Sequence, residues 1–242
     1  RRAAMESQIA SLEQRLIDES LPSRQQHDAG ETGDNPIFAE WAKWYEQQTT
    51  NTRNWRPLML TSYESTMPKL TSLDDSSILA SGDVTKRDVY RLNFELPDQL
   101  APLTAIRLEA LPHPSLPAGG PGMGYYEGRR GDFFVSEMSV SVDDEPATLT
   151  ELSHNYGKIS VGSGTTAAEN VIDGNGSTGW SAAGNEGKAS QLVANFVEPV
   201  SGNSVQVELL FERHFAAALG RFRISVTSDA GPTAAAKLPQ SL

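Results

Sequence analysis

Between residues 173 and 180 the chain reads DGNGSTGW. Asp173, Asn175 and Ser177 offer side-chain oxygens at i, i+2 and i+4, in a segment that Gly174, Gly176 and Gly179 allow to fold tightly on itself. Hard oxygen donors converging from a short loop are what calcium takes, at about 2.3 to 2.6 Å. Glu137, at the end of an earlier strand-like segment, is a candidate to add a carboxylate. The same residues also make a plain turn, in which Asp173 caps local backbone N–H groups and the chain delivers Trp180 into a core. The turn is the primary expectation and a bound structural calcium ion its alternative.

A second group sits in the long glycine-rich loop GGPGMGYYEGRRG. The flat rings of Tyr125 and Tyr126 suit the apolar C–H face of a pyranose, and Arg129 and Arg130 can donate to hydroxyl, carboxylate or sulfate oxygens. The alternative for this loop is that its tyrosines fold back over the edge of the sandwich. Arg213 and His214, in FERHF near the end of another strand-like run, complete the candidate carbohydrate-binding set.

Catalytic readings are weaker. Asp74, Asp75, Asp132 and Glu137 could converge as the carboxylate pair of a glycoside hydrolase, with Asp132 and Glu137 the pair to test. The four histidines, His27, His113, His154 and His214, show no HExxH spacing, and there is no GxSxG elbow, phosphate loop or GxGxxG before a helix. The residues describe a module that binds or positions, not an enzyme. Arg107, Arg221 and Arg223 fall on the wet side of alternating runs, where solvation or pairing with Glu109 or Glu208 is expected.

A formal charge of −11 disfavours nucleic acid or an anionic membrane surface as partner, since no long basic stretch overrides it. Without cysteine there are no disulfides, thiolate zinc sites or covalent haem attachment. No apolar run approaches the roughly 20 residues of a membrane span. The chain starts in helix-like sequence without an apolar signal core and reads as a piece of a longer protein.

The elements that must position these groups follow from periodicity. Met5, Ile9, Leu12 and Leu16 form one helical stripe over residues 3–17, and Ile37, Trp41, Trp44 and Tyr45 another over 37–48, capped by Asn35 with Pro36 at the first helical position. Beyond Trp55 the period changes to two. Tyr90, Leu92, Phe94 and Leu96 alternate with polar residues. So do Ile106, Leu108 and Ala110; Phe134, Met138, Val140 and Val142; Val205, Val207, Leu209 and Phe211; and Phe222, Ile224 and Val226. The expected fold is an all-β antiparallel sandwich preceded by two short α-helices. Its parts are helices and linker over 1–50, two pseudo-repeated sandwich halves over 51–145 and 146–229, interlocked or in tandem, and a disordered tail over 230–242.

In order along the chain, GPG, YYEG, GDFF, DG..STGW and LGRFR resemble the middle module of the large planctomycete multidomain proteins. In those, a haem-binding cytochrome c segment and planctomycete-specific domains flank such a module. DGNGSTGW followed by an alternating strand and RFRISVTSD is also similar to a galactose-binding-like jelly roll of the discoidin type. The resemblance implies a non-catalytic carbohydrate-binding module recognising polysaccharide, with a structural calcium ion in many members. The haem segment itself is missing from this sequence, so no haem is expected in this chain; the resemblance further implies neighbouring domains of the parent protein as partners, and a periplasmic or extracellular place in a bacterium. The alternative is a structural or protein-interaction module that spaces neighbouring catalytic or redox domains.

Overall fold

The computed structural model describes residues 53–96, 102–159 and 166–236. The helices expected over 3–17 and 37–48 lie outside these residues. Twelve strands follow in chain order: β1 (Arg56–Pro57), β2 (Leu60–Ser65), β3 (Lys69–Ser72), β4 (Ile78–Ser81), β5 (Arg87–Glu95), β6 (Leu103–Ala110), β7 (Glu137–Val142), β8 (Glu145–Ala147), β9 (Leu149–His154), β10 (Ser190–Val200), β11 (Ser204–Glu212) and β12 (Arg221–Thr227). Among the described residues the helical structure is confined to 3-10 turns at Pro117–Gly119 and Ala168–Val171. No helix among them is long and apolar enough to cross a membrane.

The strands form two sheets, and every strand pairing is antiparallel. A seven-stranded sheet runs β3-β4-β12-β6-β10-β9 with β1 beside β12, and a five-stranded sheet runs β2-β5-β11-β7-β8. Strands from the 51–145 and 146–229 stretches interleave: β11 lies between β5 and β7, and β12 between β4 and β6. Each sheet is thus shared between the two stretches. The period of two explains why. An isolated half would leave one apolar face of each strand without a partner, and interleaving closes both sheets over one core.

That core takes Tyr90, Leu92 and Phe94 from β5, Val205, Val207, Leu209 and Phe211 from β11, and Met138, Val140 and Val142 from β7, facing Ile106, Leu108, Leu192, Phe222 and Ile224. Tyr90 joins the two layers. Its ring meets Phe211 edge-on at 4.7 Å and stacks on Phe222 at 5.8 Å, while its hydroxyl donates to the Leu219 carbonyl at 3.0 Å. A buried phenol needs such an acceptor, because an unpaired hydroxyl in apolar surroundings is costly.

Two segments depart from simple alternation. Phe133 and Val135 enter the main core, whereas Phe134, expected to share a face with Met138, packs with Phe215 and Ala217 in a separate cluster. The parity changes because residues 133–136 precede the β7 ladder. Val135 pairs instead with Trp180, and the Ser136 hydroxyl both donates to the Glu212 carbonyl at 3.0 Å and accepts from its N–H at 2.8 Å. Residues 230–236 also differ from the expected disordered tail. Thr233 exchanges two hydrogen bonds with the Asn195 side chain, at 2.7 and 2.9 Å, and the Ala235 N–H donates to Ser153 Oγ at 2.8 Å. This strap covers the outward side of β10, so Val193 and Asn195 are buried there despite facing away from the core. Residues 237–242 lie outside the described part.

Candidate functional site

The DGNGSTGW loop is a pair of nested turns. Asp173 Oδ1 accepts from the Asn175 N–H at 2.8 Å, and Asn175 Oδ1 from the Ser177 N–H at 3.2 Å. The Thr178 hydroxyl bonds Asp173 Oδ2 at 2.7 Å and the Asn175 carbonyl at 2.8 Å. Side-chain oxygens bonding the backbone two residues on are what Asp and Asn do in turns. Three of the oxygens that a cation would want therefore already hold the loop together. Glu137, at the start of β7, reaches the same place. Burial raises its pKa above the usual carboxylate value and the neighbouring Asp173 carboxyl adds to this, while the N–H groups of Gly174 and Asn175 act the other way.

The turn delivers Trp180 into the core as expected. Its side chain is wholly buried. The main chain exchanges two hydrogen bonds with Val135 at 2.8 and 2.9 Å, Nε1 donates to the Tyr156 carbonyl at 2.9 Å, and the ring meets Phe133 edge-on at 4.8 Å. Gly179 is dictated by this approach, because a Cβ there would stand 2.2 Å from the Val135 carbonyl oxygen.

Tyr125 and Tyr126 are 64% and 78% exposed, which rules out the alternative that they fold back over the sandwich edge. The Arg130 guanidinium lies 4.8 Å over the Tyr125 ring, a stacking that stiffens both side chains. Arg129 is committed to Glu186, whose carboxylate also accepts from the Gly184 N–H at 2.8 Å. The loop sits firmly on its neighbours. Gly128 rests on the Phe215 ring, where a Cβ would come within 2.4 Å of Cε2, and Lys86 pairs with Glu127 at 3.3 Å. His214 is exposed, its ring edge-on to Phe215 at 4.8 Å. Arg213 lies 4.5 Å from the Phe134 ring and donates to the Ser177 carbonyl at 3.1 Å; burial lowers its pKa, with Asp132 opposing.

Residues 125–130, 213–215 and 173–178 are thus joined through Phe215 and Arg213 into one continuous region. The Tyr125–Arg130 loop, the acidic turn and the Arg213–His214 segment, spread over some ninety positions of sequence, are brought together. The pair offered for hydrolysis has a different setting. Asp132 is buried and accepts from the Ser181 hydroxyl at 2.9 and 3.2 Å and from the Phe133 N–H at 2.8 Å, bonds that tie the loop base to the segment after Trp180. Asp75 is engaged by Arg221 at 2.7 Å, and Arg223 takes Glu109 with two bonds of 2.8 and 3.1 Å. Glu208, the other partner considered for these arginines, pairs instead with Arg91 at 2.6 Å.

The residue types alone leave one feature out. Beside the acidic turn, on the outward side of β7 and β11, is a cavity of about 350 Å³ whose wall includes Glu137, Ser139, Thr148, Ile172, Glu208 and Leu210. The alternation places Ser139 and Glu208 outward, but only the register, with Glu208 opposite Ser139 and Leu210 opposite Glu137, shows that they meet. Comparisons with protein-family models, with curated proteins and with solved structures give no match to this chain, so the reading of the site rests on its own geometry.

Proposed function

We propose that this chain is a non-catalytic carbohydrate-binding β-sandwich of the galactose-binding-like jelly-roll type, recognising polysaccharide as one module of an exported bacterial multidomain protein of the planctomycete kind. The observation that carries this reading is the pair of exposed rings at Tyr125 and Tyr126, with Arg130 stacked on the first and the loop anchored on Phe215 next to His214. Large exposed aromatics on an anchored loop lose little conformational freedom on binding and present the flat apolar faces that sugar rings cover. Affinity electrophoresis over neutral, uronic and sulfated polysaccharides is the test. Retardation by at least one class is expected, and Tyr125→Ala with Tyr126→Ala should weaken it by about tenfold or more without changing the melting temperature. Absence of retardation across the panel would sink the reading.

Calcium at Asp173, Asn175, Ser177 and Glu137 is a separate proposal within it. Since the turn's oxygens are satisfied by the loop itself, EDTA is expected to leave the melting curve unchanged. A fall in melting temperature that calcium restores, and that Asp173→Ala abolishes, would instead place the ion there.

A second reading, a module that spaces neighbouring domains, is favoured by a clamp at the base of the fold. The Asn54 N–H donates to Asp229 Oδ2 at 2.6 Å, Asn54 Nδ2 to Oδ1 at 3.2 Å, and Arg53 to the Pro232 carbonyl at 3.1 Å. Residues 53–54 and 229–232 are thereby tied side by side, an arrangement suited to a module that holds its neighbours in place. Capture of those domains by the full chain, with no glycan retained, would favour this reading over the first.

A further inference from the structure

We propose that the cavity on the outward side of β7 and β11 is a subsite for a protonated primary amine, filled in a polysaccharide by an amino sugar whose nitrogen is not acetylated. The proposal rests on the polysaccharide reading for the identity of the ligand, but not for the recognition of the ammonium group. The cavity holds about 350 Å³, within the range of small-ligand sites and enough for one sugar ring. Its wall combines two carboxylates, Glu137 and Glu208, with the hydroxyls of Ser139 and Thr148 and the apolar surfaces of Leu210 and Ile172; no lysine or arginine lines it among the described residues.

The negative charge there is only partly offset. Glu208 is bonded on one side by Arg91 at 2.6 Å. Glu137 is answered by the N–H groups of Gly174 and Asn175 and shares a side-chain hydrogen bond with the adjoining Asp173 carboxyl, so no cationic side chain among the described residues faces it. Adjacent carboxyls repel one another when ionised. An ammonium in the cavity would offset this negative charge and bring three N–H donors to the exposed carboxylate and hydroxyl oxygens of the wall. Glu137 and Glu208 are diagonal neighbours on adjoining strands, their main-chain positions roughly 7 Å apart by ladder geometry, and both line the cavity, so such a group can lie between them. The apolar wall at Leu210 and Ile172 takes the C–H face of the ring, and Ser139 and Thr148 are within the same wall to meet its hydroxyls. Uronic or sulfated sugars would be repelled from the same place.

The test compares a short glucosamine oligomer, its fully N-acetylated counterpart and n-butylamine as probes of the full chain, with calorimetric titration for affinity and the methyl resonances of Ile172 and Leu210 for location. The glucosamine oligomer is expected to bind about tenfold or more tighter than the acetylated one, with shifts at both methyls that n-butylamine reproduces at higher concentration. Glu137→Gln should remove the preference. Ser139→Leu, which fills the cavity and leaves both carboxylates in place, should remove binding there and guards against a folding defect in the first variant. Equal affinity for the two oligomers, or a preference that survives both substitutions, overturns the proposal. Binding of neutral glycans through Tyr125 and Tyr126 with no gain from the free amine would sink the subsite and leave the polysaccharide reading. Methyl shifts with n-butylamine but no retained glycan would do the reverse.

Discussion

Replacing Trp180 with alanine is expected to lower the unfolding free energy by about 3–5 kcal/mol, the usual range for emptying a buried aromatic site. The indole is wholly buried at the junction of the two sheets' loops, and its neighbours cannot close over the space freely. Phe133 is held edge-on to it, and the Val135 main chain is paired with that of Trp180 itself. Loss of Nε1 also leaves the Tyr156 carbonyl without that donor. Urea unfolding followed by far-UV circular dichroism measures the effect. Because the acidic turn immediately precedes Trp180, the same variant should weaken binding at the cavity only in proportion to the unfolded fraction. A loss below about 1 kcal/mol would mean that the loop, not the indole, organises this end of the sandwich.

The second large effect is expected at Glu109. Its carboxylate takes two of the bonds of Arg223, lies 3.3 Å from Arg107 and accepts from the Ser225 hydroxyl at 3.4 Å. The side chains of Glu109, Arg107 and Arg223 are only 14%, 17% and 23% exposed. Arg107 is further enclosed by the Trp55 ring, 4.7 Å away, and burial lowers its pKa, with Glu109 opposing. Removing the shared carboxylate leaves two half-buried guanidinium groups facing each other. Breaking a buried pair costs about 3–5 kcal/mol, and partial exposure with the remaining Asp75 contact should bring Glu109→Ala to about 2–3 kcal/mol. Glu109→Gln, which keeps the shape and loses the charge, should recover part of this. At Glu208, whose Arg91 partner lies at the surface, the corresponding loss should be much smaller. Equal losses at the two glutamates would show that burial is not what gives Glu109 its weight.

Much of the architecture is legible in the residues themselves. Alternation in β5, β6, β7, β11 and β12 names the inward residues because a pleated strand has no choice about which side its successive Cβ atoms take. The two-sided polar and apolar runs require a sandwich. Trp180 behind three glycines announces its own burial, since only a tightly turned chain can bring an indole in so close to the Val135 carbonyl. For Tyr125 and Tyr126 the glycine-rich composition marks a loop but leaves open whether the rings fold back over the sandwich edge, and their exposure is a tertiary outcome.

What alternation cannot do is say which strand lies beside which. The interleaving of β10, β11 and β12 among earlier strands is decided by long-range pairing, whose register is set where both apolar faces find cover. Phe134 changes sides because Val135 pairs with a tryptophan forty-five positions later, outside any ladder. Residues 230–236 look like an unstructured exit by composition, yet the buried Asn195 amide, which also donates to the Glu151 carbonyl, exchanges two main-chain bonds with Thr233. The cavity is the furthest from sequence reasoning. Glu137, Ser139, Glu208 and Ile172 carry no shared motif, and only the register of β7 on β11 and the return of the acidic turn set their side chains around one space. Local periodicity determined the strands and their faces; the tertiary pairing decided where charge, hydroxyl and apolar surface would converge.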